Sequence, residues 1–240
     1  MKQTTGKTAL ITGGARRVGR AIALRLAEGG FDIVVTYHRS EADAQAVCGQ
    51  IRALGREAMA IEADLTRIPE GVEAVASGVE RVDVLVNNAS ICEPDNPADV
   101  VERMRRMMAI HVEAPSLLCR ALGPKLREVQ GHVINMLDIL AERPWPRFAT
   151  YCASKAAMLN LTVSLARELA PEVTVNGISP GVVQWPDNFP EESRAAYLAR
   201  VPLGRAGDAQ DVANLVHFLV TQGTYITGQV IRVDGGRSLM

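Results

Sequence analysis

The chain has 240 residues, a formal net charge of −1, 48% hydrophobic residues and 22% charged residues. That is enough for one large domain with a real core, and the near-neutral charge argues against nucleic acid or an anionic membrane as the main partner. The opening MKQTTGKTALITGG is too short an apolar run for a signal peptide and no window approaches a spanning helix, so a cytoplasmic protein is expected.

Short Val/Ile-rich runs alternate with longer runs of helical period. KTALITG (7–13) reads as a strand ending in a turn, and VGRAIALRLAEGG (18–30) as a helix stopped by glycine. FDIVVTY (31–37) is a second buried strand, and EADAQAVCGQIRALG (41–55) is a helix with another glycine stop. Further strands are expected at 57–64, 82–88, 131–137, 173–180 and 229–236, with helices near 98–122, 150–170 and 208–221. Near-continuous apolar strands, each followed by a helix, imply a parallel sheet covered on both faces. The expected fold class is therefore α/β, a single doubly wound Rossmann domain over residues 1–240. The cysteines at 48, 92, 119 and 152 form no CxxC pair and the histidines do not cluster with them. Free thiols are expected, and no metal site.

The first strand runs into TGGARRVG (12–19) and then a helix. Gly13, Gly14 and Gly19 at such a turn let the backbone approach a pyrophosphate at a helix N-terminus. The middle glycine of a full GxGxxG is replaced by Arg17. The second strand ends in TYHRS (36–40), where an NAD site commonly carries an acid for the ribose 2′-hydroxyl; Asp32 lies too early for that role. Instead there are His38, Arg39 and Ser40. A guanidinium and a hydroxyl suit a 2′-phosphate. With Arg17 as a second cation, the expectation is NADPH.

Tyr151 and Lys155 stand four apart and share a face if helical. A nearby ammonium favours phenolate and lowers the tyrosine pKa, which suits a proton donor at neutral pH. With TGGARRVG, the AD at 63–64, NNA at 87–89, NGISPG at 176–181 and DGG at 234–236, the chain resembles the short-chain dehydrogenase/reductase family over nearly its whole length. That resemblance implies hydride transfer with NAD(P)H. It also implies a cofactor site built from Gly13, Arg16, Arg17, Val18, Gly19, His38, Arg39, Ser40, Asp64, Leu65, Asn88, Ala89, Ser90, Tyr151, Lys155, Pro180, Gly181 and Val182. A homotetramer, with the long helices near 98–122 and 150–170 as interface, follows from the same resemblance.

The family usually has a serine thirteen residues before the tyrosine; this chain has Asp138. Asp at that spacing, with YHRS, NNAS, PGVVQWP (180–186) and the tail DGGRSL, resembles the pteridine reductases. The implied reaction is NADPH-dependent reduction of a dihydropterin, dihydrofolate or oxidised pterin. Asp138, Tyr151 and Lys155 would be catalytic, and Arg17, Ser90, Cys92, Asp138, Tyr151 and Trp185 would line the substrate site. A carboxylic acid can transfer a proton where a serine only donates a neutral hydrogen bond. The simpler alternative for Asp138 is a strand-end residue making a local cap.

Two positions depart from the pattern. The pteridine reductases place an aromatic residue where this chain has Cys92, removing a stacking partner; Trp185 or Phe148 would have to compensate. His111 stands where the broad family usually has Asn. The segment 183–200 corresponds to a substrate lid. A same-fold alternative is a reductase of small ketones or 3-oxoacyl thioesters, and an alternative of another class is an NADP(H)-sensing regulator without turnover.

Overall fold

The computed structural model describes residues 6–185 and 189–240; Pro186, Asp187 and Asn188 of the expected lid lie outside the described residues. Seven parallel strands form one sheet in the order β3-β2-β1-β4-β5-β6-β7. In chain order they are β1 (Thr8–Ile11), β2 (Asp32–Tyr37), β3 (Ala58–Glu62), β4 (Val84–Asn87), β5 (His132–Met136), β6 (Thr174–Pro180) and β7 (Val230–Val233). The central strands are short and buried throughout, as in TALI and VLVN, because helices cover both faces.

The helices are α1 (Arg17–Glu28), α2 (Glu41–Ala53), α3 (Glu70–Ser77), α4 (Val100–Met108), α5 (Ala114–Glu128), α6 (Ala149–Glu168), α7 (Glu191–Leu198) and α8 (Ala209–Thr221). On one face Ile22 and Leu26 of α1, Val47 and Ile51 of α2, and Val216 and Leu219 of α8 pack against Ile11, Val35 and Val86. On the other, Val75 of α3, Leu118 and Leu122 of α5, and Leu165 of α6 pack against Leu10, Leu85 and Val133. Each buried Leu or Ile contributes about 1.5–3 kcal/mol of burial. The expected doubly wound sheet is thus present. The short helix α3 was not among the expected elements. No helix of the described residues is long and apolar enough to cross a membrane.

The expected helix over 98–122 is interrupted. After α4 the backbone widens into a π-turn, Ala109–Glu113, before α5 begins. Pro115 supplies a physical reason. It has no N–H to donate to the carbonyl four residues back, at His111, and its ring crowds that carbonyl. A widened turn relieves both, and such turns recur at functional sites. His111 sits inside this turn and is fully buried.

Strand order reverses between β1 and β4, which lie side by side with Ile11 opposite Val86. In an open α/β sheet the crevice beyond the strand ends at that reversal is where ligands bind. The ends of β1, β4, β5 and β6 deliver Gly13, Asn88 to Ser90, Asp138 and Gly181 to this region.

Candidate active site

The turn after β1 is shaped by two glycines. Gly13 adopts φ +62°, and a Cβ on it would press on the Ala89 backbone. A Cβ on Gly19 would collide with the Gly13 carbonyl and the Asn88 amide. Thr12 and Asn88 stitch the turn to β4. The Asn88 N–H donates to Thr12 Oγ1 at 2.9 Å, and its side-chain amide donates to the carbonyls of Thr12 (2.9 Å) and Gly13 (3.1 Å). The Gly13 N–H is itself taken up by Thr36 Oγ1 at 3.1 Å. The side chain of Asn88 therefore serves the turn. Val18 packs on the core below it, and Leu65 is buried in the opposite core.

The two adjacent arginines part company. Arg16 reaches α2, with its Nε 3.6 Å from Asp43. Arg17, at φ 51°, turns away and donates from Nη2 to the Gln184 carbonyl at 3.1 Å. This corrects the expectation that Arg17 adds charge at the end of β2; Arg16 is the neighbour of that region. His38 lies 3.5 Å from Asp64, while Asp64 Oδ1 accepts from the Thr66 N–H at 3.0 Å and its hydroxyl at 2.7 Å. Arg39 is exposed and has no ion pair among the described residues. Asp32 lies elsewhere, buried and paired with Arg56 at 2.7 Å. Exposed cations at the end of β2 and in α1, beside a cradle that a side chain would fill, fit a dinucleotide bearing a 2′-phosphate.

Asp138 leaves β5 in extended conformation, at φ −161°. Its Oδ1 accepts from the Leu140 N–H at 2.9 Å, so the local cap exists. Its Oδ2 accepts from the Tyr151 hydroxyl at 2.8 Å, so the carboxyl joins Tyr151 as well. Tyr151 is buried and Asp138 half-buried, and desolvation pushes both pKa values up. For Tyr151 the Asp138 charge pushes further in the same direction. The expected lowering of the Tyr151 pKa by Lys155 is thus overturned. The reason is that the phenol is desolvated and faces a carboxyl, and removing its proton would place two negative charges side by side.

Lys155 Nζ lies 5.9 Å from the Tyr151 ring centre and donates to the Met136 carbonyl at 2.8 Å. Burial lowers its pKa to about 8, with the Asp138 charge acting in opposition.

Helix α6, which carries Tyr151 and Lys155, has Phe148 at its N-cap and no side-chain cap of its own. Asp95 supplies one from a distant loop. It accepts from the N–H groups of Ala149 (2.7 Å) and Thr150 (3.2 Å) and from the Thr150 hydroxyl at 2.5 Å. Beneath the site, Asn87 donates to Asn135 (2.8 Å) and Asn135 donates to Thr162 (3.0 Å), tying β4, β5 and α6 together. His111 bridges Ser90 and Ser154, each at 2.8 Å, and its ring meets Tyr151 edge-on at 5.6 Å. Sequence reasoning missed Asp95, Asn135, Ser154 and Thr162, since each acts on a residue far along the chain. Only the unusual identity of His111 was visible beforehand.

Val182 and Trp185, both expected at the site, make contacts within the protein. The Val182 N–H is bonded to the Tyr197 hydroxyl at 3.1 Å, and its carbonyl accepts from the Gly207 N–H at 3.0 Å. Both backbone groups of Val182 are therefore engaged within the protein rather than open to a cofactor. Gly181, just after Pro180, donates to the Val233 carbonyl at 3.0 Å. Trp185 stacks on Phe189 at 5.1 Å, meets Tyr197 edge-on at 5.5 Å and has the Arg194 guanidinium 5.6 Å from its ring. It packs with α7 instead of forming a bare substrate wall, and Phe148 packs on the cluster around Tyr151. Cys92 is exposed, and close enough to Asp138 and Lys155 for their charges to act on its thiol. All four cysteines are free.

Comparison with known proteins places this geometry in context. The family described as Enoyl-(Acyl carrier protein) reductase matches residues 13–238. The chain is 38% identical to the 3-oxoacyl-[acyl-carrier-protein] reductase FabG of Staphylococcus aureus, over 98% of this chain and 99% of that protein. The crystal structure of acetoin dehydrogenase YohF from Salmonella typhimurium superposes with a TM-score of 0.89 at 32% identity, covering 98% of this chain and 97% of that one. A blue fluorescent protein from a metagenomic library, solved in complex with NADPH, superposes with a TM-score of 0.90 at 34% identity, covering 98% and 99%.

Proposed function

This chain belongs to the short-chain dehydrogenase/reductase family, and from that premise we propose that it is an NADPH-dependent reductase of a dihydropterin or dihydrofolate. When bound, NADPH supplies the hydride. The glycine cradle at 13–19 would hold its pyrophosphate, and Arg16 and Arg39 would meet its 2′-phosphate. Lys155 would hold the nicotinamide ribose from beside Tyr151.

The observation that carries the substrate class is the 2.8 Å contact between the Tyr151 hydroxyl and half-buried Asp138. Tyr151, held protonated, gives its proton to the nitrogen next to the carbon that receives hydride. Asp138, whose carboxyl keeps its proton to higher pH than usual, returns a proton to the phenolate and regains one from solvent. A serine at this position has no carboxyl proton to return.

A second reading is reduction of a small ketone or a 3-oxoacyl thioester. It is favoured by the relatives, whose descriptions name oxoacyl and acetoin chemistry. The pterin reading rests on Asp138 and not on those relatives. Retention of both Tyr151 and Lys155 in one buried site speaks against a sensor without turnover.

The deciding experiment is NADPH oxidation by the purified protein with dihydrofolate, dihydrobiopterin and dihydromonapterin, beside simple ketones including acetoin's oxidised partner diacetyl, and an acetoacetyl thioester. Turnover of pterins is expected. Turnover confined to the carbonyl compounds would replace the first reading with the second.

A further inference from the structure

The hydrogen bonds around His111 have a direction that atom counting resolves. Ser154 Oγ stands 2.7 Å from the Tyr151 carbonyl oxygen and 2.8 Å from His111 Nδ1. Two oxygens that close need a proton between them, and a carbonyl has none to give. The single hydroxyl proton of Ser154 therefore points at the carbonyl. Ser154 can then only accept from His111, so Nδ1 carries the imidazole proton. The ring is fully buried, and burial together with the charge of Lys155 pushes its pKa well down, so it is neutral. In a neutral ring with a protonated Nδ1, Nε2 is an acceptor. Its partner, Ser90 Oγ at 2.8 Å, must donate to it.

Ser90 stands at the end of β4 beside Tyr151. With its only proton directed at His111, its hydroxyl offers the site lone pairs and no donor. Burial and the Asp138 charge push the Tyr151 pKa up, and its contact with Ser90 acts in the other direction.

We propose that His111 is a positioning residue that locks Ser90 as an acceptor-only group beside Tyr151, so that the site selects a substrate edge presenting an N–H or O–H donor to Ser90. The chain Ser90–His111–Ser154 ends on a backbone carbonyl in the core. It is a fixed strut and not a proton path to solvent. This inference deepens the reductase reading and rests on it for the substrate, while the direction of the strut stands on geometry alone.

Two measurements test it separately. Nitrogen-15 NMR of the imidazoles in the native enzyme reads the His111 ring directly, whatever the substrate. A protonated Nδ1 and bare Nε2 are expected; the opposite tautomer overturns the proposal. The second measurement is steady-state kinetics of His111→Gln and His111→Asn with dihydrobiopterin, or with whichever compound of the substrate panel is turned over. A Gln carbonyl can replace Nε2 as acceptor for Ser90, whereas Asn is too short to do so. His111→Asn is expected to raise the substrate KM about tenfold with kcat within about twofold, the loss of one oriented hydrogen bond. His111→Gln should restore most of that loss. In a Ser90→Ala background His111→Asn should have no further effect on KM, because the strut then has nothing to hold. An undiminished effect in that background overturns the proposal. Turnover of carbonyl compounds alone would remove the pterin reading and leave the tautomer measurement to decide the strut.

Discussion

The Tyr151 phenol donates a hydrogen bond to Asp138 Oδ2 across 2.8 Å, with Tyr151 buried and Asp138 half-buried. A hydroxyl in place of Asp138 would make this a hydrogen bond between two neutral hydroxyls. In the proposed reaction the carboxyl makes it a pair able to exchange a proton. Asp138→Asn keeps the shape and a carbonyl acceptor but cannot return a proton. Pterin turnover is expected to fall about 10²–10⁴-fold, the usual worth of a positioned acid or base. In the wild type, kcat should decline as pH rises through the raised pKa of Asp138, and the variant should lack that limb. A pH–rate profile from 5 to 9 on both proteins checks it; superimposable profiles would remove Asp138 from the proton exchange.

The same carboxyl links pH to stability. Its native pKa lies above that of the unfolded chain, so the protonated form is favoured by folding. Its contribution is complete below the ordinary aspartate value and is lost as pH rises through the raised one. Urea denaturation should show a steeper loss of stability above about pH 4 in the wild type than in Asp138→Asn.

Tyr151→Phe removes the proton donor and leaves the cofactor cradle untouched. Turnover should fall about 10²–10⁴-fold, while NADPH affinity, read by quenching of protein fluorescence, stays within about threefold. Near-normal turnover would assign the proton to another group.

Lys155 titrates near neutrality, with its pKa lowered to about 8 by burial. Its positive charge is present below that value and lost above it. NADPH binding should weaken as pH rises through about 8, and Lys155→Met should be weak at every pH. Free of cofactor, the protein should behave oppositely in stability. Between about 8 and the ordinary lysine value of 10.5 the unfolded chain binds a proton that the native state does not, so stability rises with pH there. Titration of Kd and of the urea midpoint over pH 7 to 10 separates the two effects.

Arg39 is exposed at the end of β2 without an ion-pair partner among the described residues, and Arg16 lies 3.6 Å from Asp43 on α2. Arg39→Asp should weaken NADPH about 10–100-fold, in keeping with the loss of a charge-assisted hydrogen bond, and leave NADH nearly unchanged. Kd values for both cofactors check it. An equal loss for the two would place the 2′-phosphate elsewhere.

Asp95 caps helix α6 from outside it, accepting three hydrogen bonds from Ala149 and Thr150. Asp95→Ala should cost about 1 kcal/mol of stability, within the usual range for a lost N-cap. Since Tyr151 is in the first turn of that helix, kcat should fall while NADPH affinity is kept. Urea denaturation and steady-state kinetics on one preparation check both.

The alternation of strands and helices, the parallel sheet and the glycine turn were legible in the sequence, because each depends on local periodicity or on the size of one residue. The spacing of Tyr151 and Lys155 was legible for the same reason, since helical pitch alone puts them on one face. The widened turn at 109–113 had a local signal in Pro115, which is clear only once the helix around it is seen. What the tertiary structure decided is the pairing of polar groups. Asp138 makes both the local cap and the bond to Tyr151, and only folding shows that one carboxyl serves both. The cap from Asp95, the strut from Ser90 through His111 to Ser154, and the divergence of Arg16 and Arg17 all join residues far apart in sequence. A buried polar group must find a partner wherever the fold brings one within reach, and burial then sets its protonation. Neither the partner nor the burial is a property of the residue's neighbours along the chain.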